Sequence, residues 1–191
     1  MTTMNSQLIN TIQSIYYLEE NILKILLEKI EIFEFPARFK LIKTGLAVNK
    51  IFFIEKGASR SYYLKDGKEI TTWFAFENEF ITSFYSFISM EPSNETIELL
   101  EDSIIWELKF NDLNRLTVEY PAINHLYRKV LELNFVRQEK LLNERFSTAK
   151  EKYENLITKY PHILQRVPLG YIASYLGITQ STLSRIRHKI S

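Results

Sequence analysis

The side chains best suited to contacting a nucleic acid lie close to the end of the sequence. Arg and Lys can bind phosphates and the edge of guanine, and Gln, Ser and Thr offer smaller hydrogen-bonding groups. These residue types occur together over one short stretch, at Thr179, Gln180, Ser181, Thr182, Ser184, Arg185 and Lys189. If the stretch is helical, Arg185 lies one turn beyond Ser181 on the same face. The stretch could then present base-binding and phosphate-binding groups together.

The residues just before this stretch predict two helices joined by a tight turn. Ala173 is small enough for two helices to cross closely, and Gly177 can adopt the positive φ that such a turn requires. Thr179 stands where the N-cap of the second helix is expected. Apolar residues that would close a shared core occur at Ile172, Leu176, Ile178, Leu183 and Ile186. The pattern is that of a helix-turn-helix.

The distribution of charge supports this interpretation. Residues 160–191 contain four Lys or Arg and no Asp or Glu, which gives the segment a formal charge of +4. The whole chain has a formal net charge of +1, so the remaining residues carry −3. A basic segment on an acidic body is expected of a DNA contact. The alternative is a helical hairpin whose basic face is only solvated.

Composition limits the other classes of function. Of 191 residues, 46% are hydrophobic and 14% are aromatic, which is enough for a sizeable core in one or two domains. The absence of cysteine excludes disulfides, cysteine-ligated iron–sulfur clusters and thiol redox sensing. No signal peptide or membrane-spanning run is visible, so we expect a cytoplasmic protein without membrane contact. We predict no cofactor and no metal site.

The hydrophobic pattern separates helical segments from a β-rich one. Residues 4–30 carry apolar residues at steps of three and four, which predicts a helix. From residue 32 to about residue 108, short runs rich in Ile, Phe, Tyr and Trp alternate with turn residues, which predicts a sandwich or barrel. The Asp66-Gly67 pair predicts a hairpin. The runs at residues 96–100 and 103–108 are predicted to pair with each other.

A long helix is predicted after the β-rich segment, because no Gly or Pro occurs from residue 122 to about residue 146. Its apolar residues Ile123, Leu126, Val130 and Leu133 step by three, four and three, as in a coiled-coil seam. We predict that this seam forms a homodimer. The alternative is that the helix packs on the β-rich domain of its own chain.

The remaining boundaries follow from these elements. A helix over residues 148–160 is predicted to end before Pro161. The predicted domains are a helix and β-rich sensor-like domain at residues 1–111, a long dimerisation helix at 112–147, and a DNA-binding domain at 148–191.

The order of these segments resembles the Crp/Fnr family, the catabolite-activator type of bacterial transcription regulator, in a short form. In the β-rich segment the resemblance depends on the sequences at residues 52–57, 60–63, 66–69, 73–74 and 93–103. Near the C-terminus it depends on residues 160–161 and 172–179. It implies an α+β fold with an N-terminal cyclic-nucleotide-binding-type β-roll, a long dimerisation helix and a C-terminal helix-turn-helix.

The resemblance also implies how the chain would bind DNA. In this class the second helix enters the major groove, and a dimer binds half-sites about 34 Å apart. Gln180, Ser181 and Arg185 occupy positions similar to the family's base-contacting residues; Arg suits guanine and Gln suits adenine. Thr182, Ser184 and Lys189 are expected to contact phosphates, and weaker candidates are Tyr171 and Arg166. The implied partner is a palindromic double-stranded operator, RNA polymerase is a candidate partner, and no effector is named.

The chain departs from the cyclic-AMP-binding members of the family at the phosphate site. In those members a Gly-Glu-Leu motif is followed about ten residues later by an Arg that neutralises the cyclic phosphate. Residues 77–83 and 93–96 match those segments, but no Lys or Arg occurs between Lys68 and Lys109. The region is made acidic by residues that include Glu77, Glu79, Glu91, Glu95 and Glu98. We therefore predict that cyclic AMP does not bind, and that any ligand of the aromatic interior is apolar or neutral.

Nothing in the sequence indicates an enzyme. Glu77 with Glu79, or Glu98 with Glu101, could be named as carboxylate pairs, but such pairs usually lie on solvated strand faces. No nucleophile–base order, metal-spaced histidine cluster or Gly-rich phosphate loop occurs. The alternative function is a ligand-sensing or protein-interaction module in which the helix-turn-helix is vestigial.

Overall fold

A computed structural model describes residues 7–144 and 146–190, without the side chains of Glu144, Lys189 and Ile190. Two helices come first, α1 (Gln7–Ile15) and α2 (Glu20–Leu27). The prediction of one helix over residues 4–30 is therefore wrong at residues 16–19 and again at residues 28–30, and residues 4–6 lie outside the described part. The Gln13 amide side chain explains the break, because it donates to the Leu18 carbonyl oxygen (2.9 Å) and accepts from the Leu18 N–H (2.8 Å). These bonds satisfy both backbone groups of Leu18, which lies between the two helices.

The β-rich segment forms two four-stranded sheets with antiparallel pairing throughout. The strands are β1 (Ile30–Phe35), β2 (Lys40–Ile42), β3 (Lys50–Lys56), β4 (Ser59–Lys65), β5 (Lys68–Ala75), β6 (Phe80–Ile81), β7 (Thr96–Leu99) and β8 (Ser103–Lys109), with helix α3 (Phe84–Ser89) between β6 and β7. The sheet orders are β1-β8-β3-β6 and β2-β7-β4-β5. Phe53, Ile54, Leu99 and Ile105 come from both sheets and fill one core, each 1% exposed or less. This architecture confirms the expected β-roll.

The turn between β4 and β5 confirms the predicted hairpin. Asp66 and Gly67 both have positive φ, at 50° and 74°. Two positive φ values in sequence are typical of a type I′ turn, whose twist matches that of antiparallel strands. Lys65 and Lys68 face each other across the turn in the strand register.

The predicted pairing of residues 96–100 with 103–108 is wrong. β7 pairs with β2 and β4 in one sheet, whereas β8 pairs with β1 and β3 in the other. The chain crosses between the sheets at residues 100–102, where the Asp102 carboxylate accepts from the Ala37 N–H (2.9 Å). All four residues of β7 are buried. A two-stranded hairpin would leave β7 partly exposed, whereas a place between two strands of a larger sheet covers it.

Two helices follow the roll, α4 (Phe110–Glu119) and the long α5 (Pro121–Glu144), so the predicted long helix is confirmed. Three residues of its predicted dimer seam have another role. Ile123, Leu126 and Val130 are only 1%, 6% and 8% exposed in the single chain, because they pack into the core that α1, α2 and the roll share. Leu133 is 55% exposed. A buried stripe of this period indicates that a helix is covered, and here the chain itself covers most of it.

Four short helices follow in the described part of the chain: α6 (Ala149–Lys159), α7 (Ile163–Arg166), α8 (Leu169–Leu176) and α9 (Gln180–Ile190). Helix α6 agrees with the prediction, and Thr148 caps its first turn by accepting from the Glu151 N–H (3.2 Å). A second core joins these helices to the roll and includes Phe74 and Phe76 of the roll with Ile172 of α8. The C-terminal helices therefore rest against the β5 side of the roll.

Candidate functional site

The turn between α8 and α9 has the geometry that its residues predict. Gly177 ends α8 with φ 70°, and the Ile178 N–H donates to the Ala173 carbonyl oxygen (3.0 Å). An L-residue is strained at this φ, so glycine suits the position even though a Cβ would meet open space. The Thr179 Oγ1 accepts from the Thr182 N–H (3.2 Å), as expected of an N-cap. The start of α9 is thus fixed relative to α8.

A small apolar core holds the two helices together. Ile172, Ala173, Leu176 and Leu183 are 0%, 3%, 4% and 0% exposed. Ile178 and Ile186 are partly buried against the same cluster. The apolar side chains of α9 therefore turn toward α8, which leaves the opposite side of α9 to solvent.

The outward side of α9 carries most of the predicted DNA-contacting residues. Thr179, Gln180, Ser181, Ser184 and Arg185 are exposed. Thr182 is half-buried, and its hydroxyl accepts from the Arg185 guanidinium (3.2 Å). Among the described residues, Arg185 forms no ion pair. The Lys189 side chain lies outside the described part of the chain.

Arg166 is not available for a phosphate, although its charge made it a weaker candidate. Its guanidinium donates two hydrogen bonds to the Glu77 carboxylate, at 2.8 and 2.7 Å, and also binds Glu101. The hydrogen bonds to Glu77 and Glu101 raise the pKa of Arg166. Burial acts to raise the pKa of Glu77, but the bonds from Arg166 and the Gly57 N–H outweigh it and hold the pKa below its ordinary value. This pair joins α7 to the roll.

A second charged cluster joins α8 to the roll around Arg60, which is 2% exposed. The Arg60 guanidinium donates to the Glu98 carboxylate from Nε (3.0 Å) and Nη2 (2.7 Å) and also binds Glu69. Its Cζ lies 3.6 Å from the centre of the Tyr171 ring. Desolvation acts to lower the pKa of Arg60, but the two carboxylates outweigh it and raise the pKa. Tyr171, the other weaker phosphate candidate, is therefore packed against the roll.

A third polar contact links α6 and α5 through one carboxylate of the roll. The Tyr160 hydroxyl donates to Glu79 Oε1 (2.7 Å), and Arg137 Nη1 donates to Glu79 Oε2 (3.2 Å). Burial and the neighbouring Glu79 carboxylate raise the pKa of Tyr160, so the hydroxyl stays a donor. The carboxylates that the sequence suggested as pairs are thus partners of cations and of a tyrosine.

A cleft of about 750 Å³ lies between the roll and α5, and α3 forms part of its wall. Trp73, Thr82 and Glu95 line it from the roll, and Asn134 and Arg137 line it from α5. The cleft therefore contains a cation although no Lys or Arg occurs between residues 68 and 109. This cation is Arg137, which α5 contributes. Arg137 stacks over the Trp73 ring, with its Cζ 4.6 Å from the ring centre. Local sequence could not reveal this contribution, since it depends on how α5 packs.

Glu95 is the acidic group of this cleft. It is half-buried, and burial raises its pKa although Ser83 and the charge of Arg137 act in the opposite direction. Glu95 lies in the segment that matches the phosphate-binding Arg of cyclic-AMP-binding relatives, so the charge at that end of the cleft is reversed.

Among the described residues, no group of three or more His, Asp or Glu could hold a metal ion. No helix in that part of the chain is long and apolar enough to cross a membrane.

Comparison with known proteins agrees with this geometry. Residues 32–120 match the model of the cyclic nucleotide-binding domain family. No curated protein matches the chain. FixK2 from Bradyrhizobium japonicum superposes with a TM-score of 0.69 at 16% identity, over 84% of each chain. A protein from Eubacterium rectale, assigned to the Crp/Fnr family of transcriptional regulators, gives a TM-score of 0.69 at 15% identity, over 90% of this chain and 83% of that one.

A protein solved with cyclic AMP also shares part of the fold. The regulatory domain of Toxoplasma gondii PKA superposes with a TM-score of 0.52 at 18% identity. The match covers 58% of this chain and 43% of that one, so this chain spans less than half of that relative. At these identities the solved structures show the fold alone. The protein has a mixed α+β fold in which a cyclic nucleotide-binding-type β-roll is followed by a long helix.

Proposed function

We propose that the protein is a dimeric, sequence-specific DNA-binding transcription regulator of the Crp/Fnr type that is not controlled by cyclic AMP. The observation that carries the proposal is the outward side of α9. It begins at a capped turn, it exposes Gln180, Ser181 and Arg185, and Arg185 has no carboxylate partner among the described residues. A guanidinium without an ion pair, on an exposed helix beside hydroxyl and amide groups, suits binding in a major groove.

The residues of α9 divide into two roles. Gln180, Ser181 and Arg185 are proposed to contact base edges. Ser184 and Lys189 are proposed to contact phosphates. The Thr182 hydroxyl binds both the Thr179 side chain and Arg185, so we add to its proposed phosphate contact a role in orienting Arg185.

The proposed dimer uses a seam on the outer side of α5. Leu131, Phe135, Gln138 and Leu142 step by four, three and four, which is the spacing of a coiled coil. Phe135 and Leu142 are 67% and 44% exposed in the single chain, whereas the inner stripe from Ile123 to Val130 is covered. Leu133 is exposed but lies two residues from both Leu131 and Phe135, which places it on the side of the inner stripe, so it is not part of this seam. A two-fold dimer would place its two α9 helices on successive turns of one side of the duplex.

The test is a binding measurement on a selected operator. A random duplex library is enriched on the wild-type protein, and affinity for the selected site is measured by fluorescence anisotropy. Arg185→Ala is expected to cost roughly 1–3 kcal/mol and to relax the preference at one base pair. Lys29→Ala removes one exposed cation at the other end of the chain and is expected to leave both properties unchanged.

Two results would contradict the proposal. If no sequence is enriched above the starting library, the helix pair is vestigial, and the alternative of a ligand-sensing or protein-interaction module takes its place. If a sequence is enriched but Arg185→Ala binds it with the same affinity and preference, the assignment of α9 as the DNA-contacting helix fails.

A further inference from the structure

The cleft between the roll and α5 contains one acidic side chain that has no ion-pair partner among the described residues, Glu95. Its carboxylate is half-buried near Ser83 and Arg137, and Thr82 and Asn94 line the same cleft. A carboxylate that is shielded from water is stabilised when an opposite charge or a hydrogen-bond donor reaches it. The cleft is open to solvent on one side, so a ligand can supply that group.

The one cation among the lining residues, Arg137, is engaged through two of its three guanidinium nitrogens, and its Nε is buried without a hydrogen-bond partner among the described residues. Arg137 donates to Glu79 (3.2 Å) and to the Asn134 side chain (2.9 Å), and it stacks on Trp73. Its charge is therefore largely balanced by Glu79 outside the cleft. An anionic ligand would have to displace Glu79 from Arg137 while it approached Glu95, so both steps oppose binding.

The walls of the cleft suit a ligand with a positive charge on an apolar body. Tyr63, Phe84 and Tyr85 present aromatic rings, and Ile97 and Leu141 present aliphatic groups. Aromatic faces attract ammonium groups, and a nearby carboxylate adds a charge-assisted hydrogen bond. Asn134 and Gln138 add carbonyl oxygens that accept further N–H bonds.

We propose that this cleft binds a small organic cation, a protonated amine on an aromatic or aliphatic body, with Glu95 as its anionic anchor. The proposal differs from the apolar or neutral ligand that the aromatic sequence suggested, because the sequence did not place Glu95 inside the cleft. It concerns the cleft alone and does not depend on DNA binding.

The experiment compares three probes by isothermal titration calorimetry on the full chain without DNA. The probes are 2-phenylethylamine, its neutral analogue 2-phenylethanol, and adenosine 3′,5′-cyclic monophosphate. The amine is expected to bind at least tenfold more tightly than the alcohol, and the cyclic phosphate is expected to give no heat of binding. Glu95→Gln is expected to remove the advantage of the amine and to leave the alcohol unaffected. Glu119→Gln, the same change on an exposed part of α4, is expected to behave as wild type.

Several outcomes would overturn the proposal. Two of these outcomes are measured on the wild-type protein. The proposal fails if amine and alcohol bind with equal affinity, or if the amine does not bind at millimolar concentration. Tighter binding of the cyclic phosphate than of the amine would show that the cleft accepts an anion. An amine advantage that persists in Glu95→Gln would remove Glu95 as the anchor. If Glu95→Gln does not fold, Glu95→Asp is used, and it must keep an amine advantage.

Discussion

Three glutamates of the roll hold the C-terminal helices in place. Glu77 binds Arg166 of α7, Glu79 binds Tyr160 at the end of α6, and Glu98 binds Arg60, on which Tyr171 of α8 packs. Charge-assisted hydrogen bonds of this kind are worth more than neutral ones when they are partly shielded from water. The helix pair is therefore positioned by specific contacts as well as by its apolar core.

Glycine at position 57 is a second residue-scale requirement. Its φ is 120°, and a Cβ there would lie 2.1 Å from Ser103 Oγ and 3.1 Å from Ser103 Cα. We expect Gly57→Ala to lower the free energy of unfolding by roughly 2–4 kcal/mol, because backbone strain and a steric clash add. Urea unfolding followed by circular dichroism measures the change.

Gly45 provides the control for that substitution. Its φ is 85°, but a Cβ would meet nothing within 4 Å. Gly45→Ala should therefore cost only the backbone strain of a positive φ, about 1 kcal/mol. Equal losses for the two variants would show that the clash with Ser103 is relieved by a small local shift.

At the scale of elements, the sequence predicts which segments are helix and strand better than it predicts what they contact. The Asp66-Gly67 hairpin and the helix from Pro121 form as expected, because both depend on neighbouring residues. The partners of β7 and β8 could not be predicted, since each strand is buried and the pairing depends on segments far away in sequence. For the same reason, the sequence indicated that Ile123, Leu126 and Val130 would be covered, but it could not indicate that the rest of the same chain covers them.

The candidate site shows the same division between local and distant information. Thr179 and Gly177 fix the turn through contacts within a few residues, so their roles were predictable. Arg166 was proposed to contact a phosphate because of its charge. Its partner Glu77 is 89 positions away in the sequence, so the local sequence could not reveal that this charge is already paired. Arg137 was missed in the cleft because α5 supplies it to a region that is locally without cations.

The outer seam of α5 gives a prediction about assembly. The double variant Phe135→Glu with Leu142→Glu is expected to be a folded monomer. Both side chains are exposed in the single chain, so charges there leave its core intact, but they are costly in a closed dimer interface. Sedimentation velocity measures the mass in solution, and circular dichroism confirms the fold.

Two further variants make this test specific. Val118→Glu places a charge at a residue of α4 that is 79% exposed, and it should remain dimeric. Leu126→Glu should instead unfold the chain, because Leu126 is 6% exposed and packs in its own core. A double variant that sediments as a dimer would exclude the outer seam.

For the whole molecule, the positive charge that the proposed DNA contact requires is concentrated in one segment. The segment from residue 160 carries +4, and the rest of the chain carries −3. Within the segment, Arg166 is paired with carboxylates of the roll, so the positive charge that remains is concentrated near α9. In the proposed complex, an acidic body would discourage contact with DNA elsewhere and so favour a defined orientation on the duplex.

This arrangement predicts how salt affects binding. The logarithm of the association constant for the selected operator should fall linearly with the logarithm of salt concentration, because bound phosphates release their counterions. Lys189→Ala is expected to weaken binding to all sequences alike. It should also reduce the slope by about 1.8, because each of the two protomers would then neutralise one phosphate fewer. Lys29→Ala should keep the wild-type slope, since Lys29 lies outside the basic segment of residues 160–191. Fluorescence anisotropy between low and physiological salt gives the slopes, and an unchanged slope for Lys189→Ala would exclude a phosphate contact at that residue.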